Sequence, residues 1–203
     1  MAAVSETLVR EFFELHGFFV RQQRKYVAPS RAAEEEEADF LVINPNYEAG
    51  SKLPPFVISS DDLAAIARAV VVVKGWHTDT FSPARLSLVP EIFRFVEPPA
   101  FRHAARAFGQ DGPLLKIIVV PPLPQDRQMR EQTLELLRRK GIDAIIPFRA
   151  VLADLLARVE ASRNYQKSDL LQVIRIFKSY DLFKSPQLDL FKPKAKRRRP
   201  TTS

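Results

Sequence analysis

Ala69-Val70-Val71-Val72-Val73-Lys74 is the stretch on which the fold turns. Its four consecutive valines are β-branched and stiff, which favours extended backbone. There is no polar alternation, so both faces of the strand must be buried, as in the centre of a sheet covered on each side by helices. The run is far shorter than the roughly 18 apolar residues of a membrane span. It therefore points to a layered α/β domain.

Moving toward the N-terminus, Asp39-Phe40-Leu41-Val42-Ile43 reads as a strand stopped by Asn44-Pro45-Asn46. Residues Phe18 to Val27 read as an earlier strand, followed by an acidic loop from Pro29 to Glu37. Ser5 is placed to cap a first helix with Leu8, Val9, Phe12, Phe13 and Leu15 on one broad face, and Gly17 to end it. Ser59 or Ser60 caps a short helix running to Arg68, helped by Asp61 and Asp62.

Moving toward the C-terminus, Pro83 to Phe108 holds one or two short helices, and Leu115 to Val120 is a second buried strand. Arg127 to Lys140 is an amphipathic helix with Gly141 as its C-cap. A short strand from Asp143 to Phe148, a helix from Arg149 to Val159 and a helix capped by Ser168 follow. The expected fold is α/β, with a mixed central sheet flanked by helices over residues 1–183. Residues 184–203 read as a flexible, disordered basic tail.

Composition narrows the function. The chain has no cysteine, which excludes disulfides, thiolate zinc sites and cysteine nucleophiles and fits a cytoplasmic location. No membrane span is expected. Neither GxGxxG nor GxxxxGK nor GxSxG occurs, so nucleotide-binding loops and nucleophile elbows are poor readings. The net charge of +7 is concentrated: Lys192, Lys194, Lys196, Arg197, Arg198 and Arg199 carry six positive charges with no acid among them. Such a run attracts a polyanion through phosphate contacts and counterion release. Its bland alternative is a solubilising tail on a protein-interaction module.

Three residues of the body carry candidate chemistry. Asp39 opens the second strand, Lys74 ends the third, and Glu11 lies on the first helix. With the order of elements, this resembles the restriction-endonuclease-like PD-(D/E)xK superfamily over roughly residues 4 to 150. The resemblance implies catalytic roles for Glu11, Asp39 and Lys74, with Asp39 as a ligand of Mg²⁺ in an active enzyme. There the metal activates water and offsets phosphate charge, while the lysine orients the nucleophile. The superfamily carries an acid two residues before that lysine, where this chain has Val72. Either the acid has migrated, to Glu37, Asp79 or Glu91, giving an active Mg²⁺-dependent DNA endonuclease, or the fold is kept for binding without cleavage.

Arg21, Arg24 and Lys25 sit on or beside the first strand, near where a nuclease-like cleft would open for DNA. Arg102, Arg106 and the Arg138–Lys140 group are further cations, the last read as solvated charges at a helix C-terminus.

The tail carries the most specific motif. Gln187-Leu188-Asp189-Leu190-Phe191 matches at every position the pentapeptide Gln-Leu-(Ser/Asp)-Leu-Phe, by which bacterial polymerases and repair proteins bind the sliding clamp. A match of this kind arises by chance about once in several hundred thousand starts. The resemblance implies that Leu190 and Phe191 fill an apolar pocket, Gln187 hydrogen-bonds at a second subsite and Leu188 sits between. The alternative is that these residues fold back as a terminal strand. The expected partners are DNA and the β sliding clamp, in DNA replication or DNA repair.

Overall fold

The computed structural model describes residues 2–22, 38–48, 50–108 and 113–183. They form two compact units, one ending at Arg158 and one beginning at Val159; the tail expected beyond Phe183 lies outside the described residues.

The first unit is built on a five-stranded mixed sheet. Its strands are β1 (Phe19–Gln22), β2 (Phe40–Ile43), β3 (Arg68–Val73), β4 (Leu114–Val120) and β5 (Ala144–Pro147), lying side by side in chain order. β2 runs antiparallel to both β1 and β3, while β3, β4 and β5 are mutually parallel. Every residue of β3 is buried, as the valine run requires. The free side of β5 is covered by an extended segment: Ile58 N donates to Ile145 O at 2.8 Å, and Ile145 N donates to Phe56 O at 2.7 Å.

Helices cover both faces. They are α1 (Ala2–Leu15), α2 (Pro83–Leu88), α3 (Pro98–Phe108), α4 (Arg127–Arg139) and α5 (Phe148–Arg158). Short 3-10 helices span Ser60–Ala65 and Pro90–Val96. On one face, Leu41, Val70, Val72, Ile118 and Ile145 form a cluster with Phe81, Leu86, Phe93, Phe95 and Leu137. Strand alternation turns Val71, Val73, Ile117, Val119 and Ile146 to the other face, where they too are buried. There α1 packs against β1, β3 and α5, and its Val9, Phe12 and Phe13 are fully enclosed.

Several local signals act as expected. Gly17 and Gly141 take left-handed φ angles of 81° and 86° just past α1 and α4. Asp126 accepts from Met129 N at 2.7 Å at the start of α4. Ser5 corrects an expectation: α1 begins at Ala2, so Ser5 lies inside the helix and is not its cap.

The second unit holds α6 (Asp169–Ser179), capped by Ser168, whose Oγ accepts from Leu171 N at 3.2 Å. Two of its cations bind main-chain carbonyls of the preceding loop: Lys178 Nζ donates to Val159 O at 2.6 Å and Arg175 Nε to Ala161 O at 3.0 Å.

Candidate functional site

Asp39 and Lys74 lie at the same end of the sheet. Extending the β2–β3 register by one residue places Asp39 across from Val72, with Lys74 two residues further along β3. Asp39 N donates to Val71 O at 3.0 Å, and its Oδ2 accepts from Val73 N at 2.7 Å. The carboxylate thus takes the place of a main-chain acceptor where β2 stops pairing. Lys74 N continues the parallel ladder by donating to Val119 O at 3.0 Å.

The same device recurs at β5. Asp143 N donates to Lys116 O at 3.0 Å, and Asp143 Oδ2 accepts from Lys116 N at 2.8 Å. An aspartate at a strand start satisfies an amide of the neighbouring strand in both places. An unpaired amide at such a position is costly. Asp39→Ala is therefore expected to destabilise the protein by about 1–3 kcal/mol, and Asp39→Asn, which keeps an acceptor oxygen, by clearly less. Chemical denaturation reads both, and an unchanged midpoint for Asp39→Ala would remove this role.

Among the described residues, the rest of a metal centre does not assemble around Asp39. Val72 is 1 % exposed and belongs to the apolar cluster with Phe81 and Leu86, a place where an unpaired carboxylate would be strongly disfavoured. Glu11 is buried on α1, and its Oε1 accepts from Arg10 Nη2 at 3.3 Å. Glu14 belongs to the same group: burial first, and the Glu11 charge second, raise its carboxyl above the usual range, against the pull of Arg10. Asp79 pairs with Arg85 at 3.1 Å, and the Arg85 guanidinium lies 5.2 Å from the Trp76 ring centroid. Glu91 is exposed at the start of a 3-10 helix. Among the described residues, no three acidic or histidine side chains gather in an arrangement that could hold a metal ion. Mg²⁺ requires near-octahedral oxygen ligation from more than a lone, already engaged carboxylate. The described side chains do not fit Mg²⁺.

A second feature at the same end of the sheet escapes sequence reasoning. The Ser5 hydroxyl and His77 Nε2 are 2.9 Å apart, and the His77 ring centroid lies 4.5 Å from that of Phe148. Gly75 makes this possible, because a Cβ there would come within 2.6 Å of Ser5 Oγ. Val4, Leu8, Phe148 and Leu152 join the pair around a cavity of about 410 Å³. The pair fastens α1 to the chain leaving β3. The available signal is the glycine directly after the valine run, a position where backbone approaches another group closely.

Elsewhere, His16 Nε2 lies 2.9 Å from Asp154 Oδ2, and Arg158 Nε donates to Asp154 Oδ1 at 3.1 Å, which ties the end of α1 to α5. His16 and His77 thus serve separate contacts.

Arg21 is exposed on the edge strand β1. Arg24, Lys25 and Glu37 lie outside the described residues. So do the pentapeptide Gln187–Phe191 and the cations Lys192, Lys194, Lys196, Arg197, Arg198 and Arg199. Among the described residues, no helix is long and apolar enough to cross a membrane.

No family model, curated protein or solved structure matches this chain.

Proposed function

We propose that this chain is a clamp-tethered, DNA-binding accessory protein of replication or repair, whose nuclease-like body binds without cutting. The observation that carries the proposal is the five-position match of Gln187-Leu188-Asp189-Leu190-Phe191 to the clamp-binding consensus, followed at once by six cations. An extended peptide of this kind supplies a weak, exchangeable tether, and tethering raises the local concentration of the body at DNA.

The body supports the reading in two ways. Its order is a first helix, an antiparallel β1–β2–β3 meander, a helical segment and then the parallel strand β4, compatible with a restriction-endonuclease-like arrangement. The Asp39 carboxylate, which would hold the metal in an active member, accepts the Val73 amide, and Val72 contributes no ligand. Binding is therefore favoured over Mg²⁺-dependent cleavage.

The test is binding of the full-length chain to a bacterial sliding clamp immobilised on a sensor surface. Saturable binding displaced by free Gln-Leu-Asp-Leu-Phe peptide is expected. Absence of binding, together with no salt-sensitive affinity for DNA, would leave the tail as a solubilising segment and overturn the proposal.

A further inference from the structure

Three cations of the body are seated on phenylalanine rings around the start of β5. The Arg138 guanidinium lies 4.3 Å from the Phe56 ring centroid, Lys116 Nζ 4.6 Å from that of Phe101, and Lys140 Nζ 5.4 Å from that of Phe93. Phe93 belongs to the core cluster, and Phe56 and Phe101 pack against it. The three seats are joined locally. Asp143, just beyond the C-cap of α4, holds both main-chain groups of Lys116, and Ile145 N binds Phe56 O.

Among the described residues, no salt bridge ties Lys116 or Lys140 to an acid, and Asp143 meets Lys116 through the Lys116 main-chain amide. Glu135 reaches Arg138 only as an exposed pair at 3.7 Å, which contributes little. The helix dipole accounts for Arg138 and Lys140 at the C-terminal end of α4, but not for Lys116, which lies on β4.

We infer that Lys116, Arg138 and Lys140 form a contact surface for the phosphate backbone of DNA. The inference rests on the proposed DNA-associated function and adds to it a site on the body itself. Because β3, β4 and β5 are parallel, this surface lies at the opposite end of the sheet from Asp39 and Lys74. A cation held over a ring has already lost much of its rotamer freedom, so less entropy is lost when it meets a phosphate. Phosphate backbones are recognised by such positioned charges alone. Protein partners characteristically need buried aromatic or apolar anchors, and these three rings are turned to the core under their cations.

The experiment compares the full-length chain with its Lys116→Gln, Arg138→Gln, Lys140→Gln variant. Binding to a fluorescein-labelled DNA duplex is followed by anisotropy across a salt series. The tail contributes equally to both proteins, so the difference isolates the body. Each lost phosphate contact removes about 0.9 from the slope of log affinity against log salt, so a decrease of about 2–3 is expected. The charge-preserving variant Lys116→Arg, Arg138→Lys, Lys140→Arg should keep the wild-type slope. If the neutral triple variant does not fold, the single change Lys140→Gln should still lower the slope by about 1. An unchanged slope in a folded neutral variant overturns the inference, whether or not binding to poly-glutamate is lost. An equal loss in the charge-preserving variant overturns it too. A wild-type chain that binds no duplex at low salt overturns the DNA-associated function on which the inference rests.

Discussion

Alanine at both Leu190 and Phe191 is expected to weaken capture of the full-length chain by a bacterial sliding clamp by about two to four orders of magnitude. A buried Leu or Phe side chain contributes about 1.5–3 kcal/mol, and each 1.4 kcal/mol is a factor of ten in affinity. In the consensus these two residues supply the apolar anchors, and few other contacts compensate for them in a five-residue peptide. Asp189→Ser is the matched control, because the consensus accepts either residue there, and it should bind as the parent does. Equilibrium binding on immobilised clamp reads all three proteins. Undiminished binding of the double variant would show that the tail is not the address.

Phe81→Ala is expected to cost about 3–5 kcal/mol, a large part of the roughly 5–15 kcal/mol that holds a domain together. Phe81 is fully buried, its ring centroid lies 6.0 Å from that of Trp76, and its amide donates to Pro122 O at 3.0 Å. It opens the segment whose Leu86, Ile92, Phe93 and Phe95 close one face of the sheet. Removing the ring leaves a cavity between that segment and Val72. Phe81→Leu should cost about 1–2 kcal/mol, because much of the volume remains. Denaturant titration measures both, and a cost below about 1 kcal/mol for the alanine variant would mean that this face is loosely packed. The fixed packing makes residues 83–108 a layer of the body.

The strands were legible because burial on both faces writes an unbroken apolar run, as at Val70–Val73 and Ile117–Val120. The segment from Pro83 to Phe108 was hard to read because its three helices are too short for a clear periodicity. Its signal lay in punctuation, since each of them begins on a proline: Pro83, Pro90 and Pro98. Ser5 misled because serine favours helix starts, and its actual partner, His77, is 72 positions away. Asp39 shows a deeper limit. A carboxylate that completes a strand ladder and one that holds a metal look alike in sequence, and the structure shows only the first of these tasks for Asp39, through the amide of Val73. Asp143 performs the same task with no motif around it. The ring-seated cations were visible only as scattered charges, because their aromatic seats come from distant parts of the chain.

The strand order has a consequence for how the protein is made. Each strand of the sheet lies beside the one synthesised just before it, so no later strand must be threaded between two already paired. As the chain leaves the ribosome, β2 meets β1, β3 meets β2, and the two parallel additions extend a growing edge. That edge stays open until β5 is capped by the Phe56–Ile58 segment, which is synthesised much earlier. Closure therefore waits on the last strand, and a nascent chain stalled before Ala144 would present the unpaired side of β4 to its neighbours.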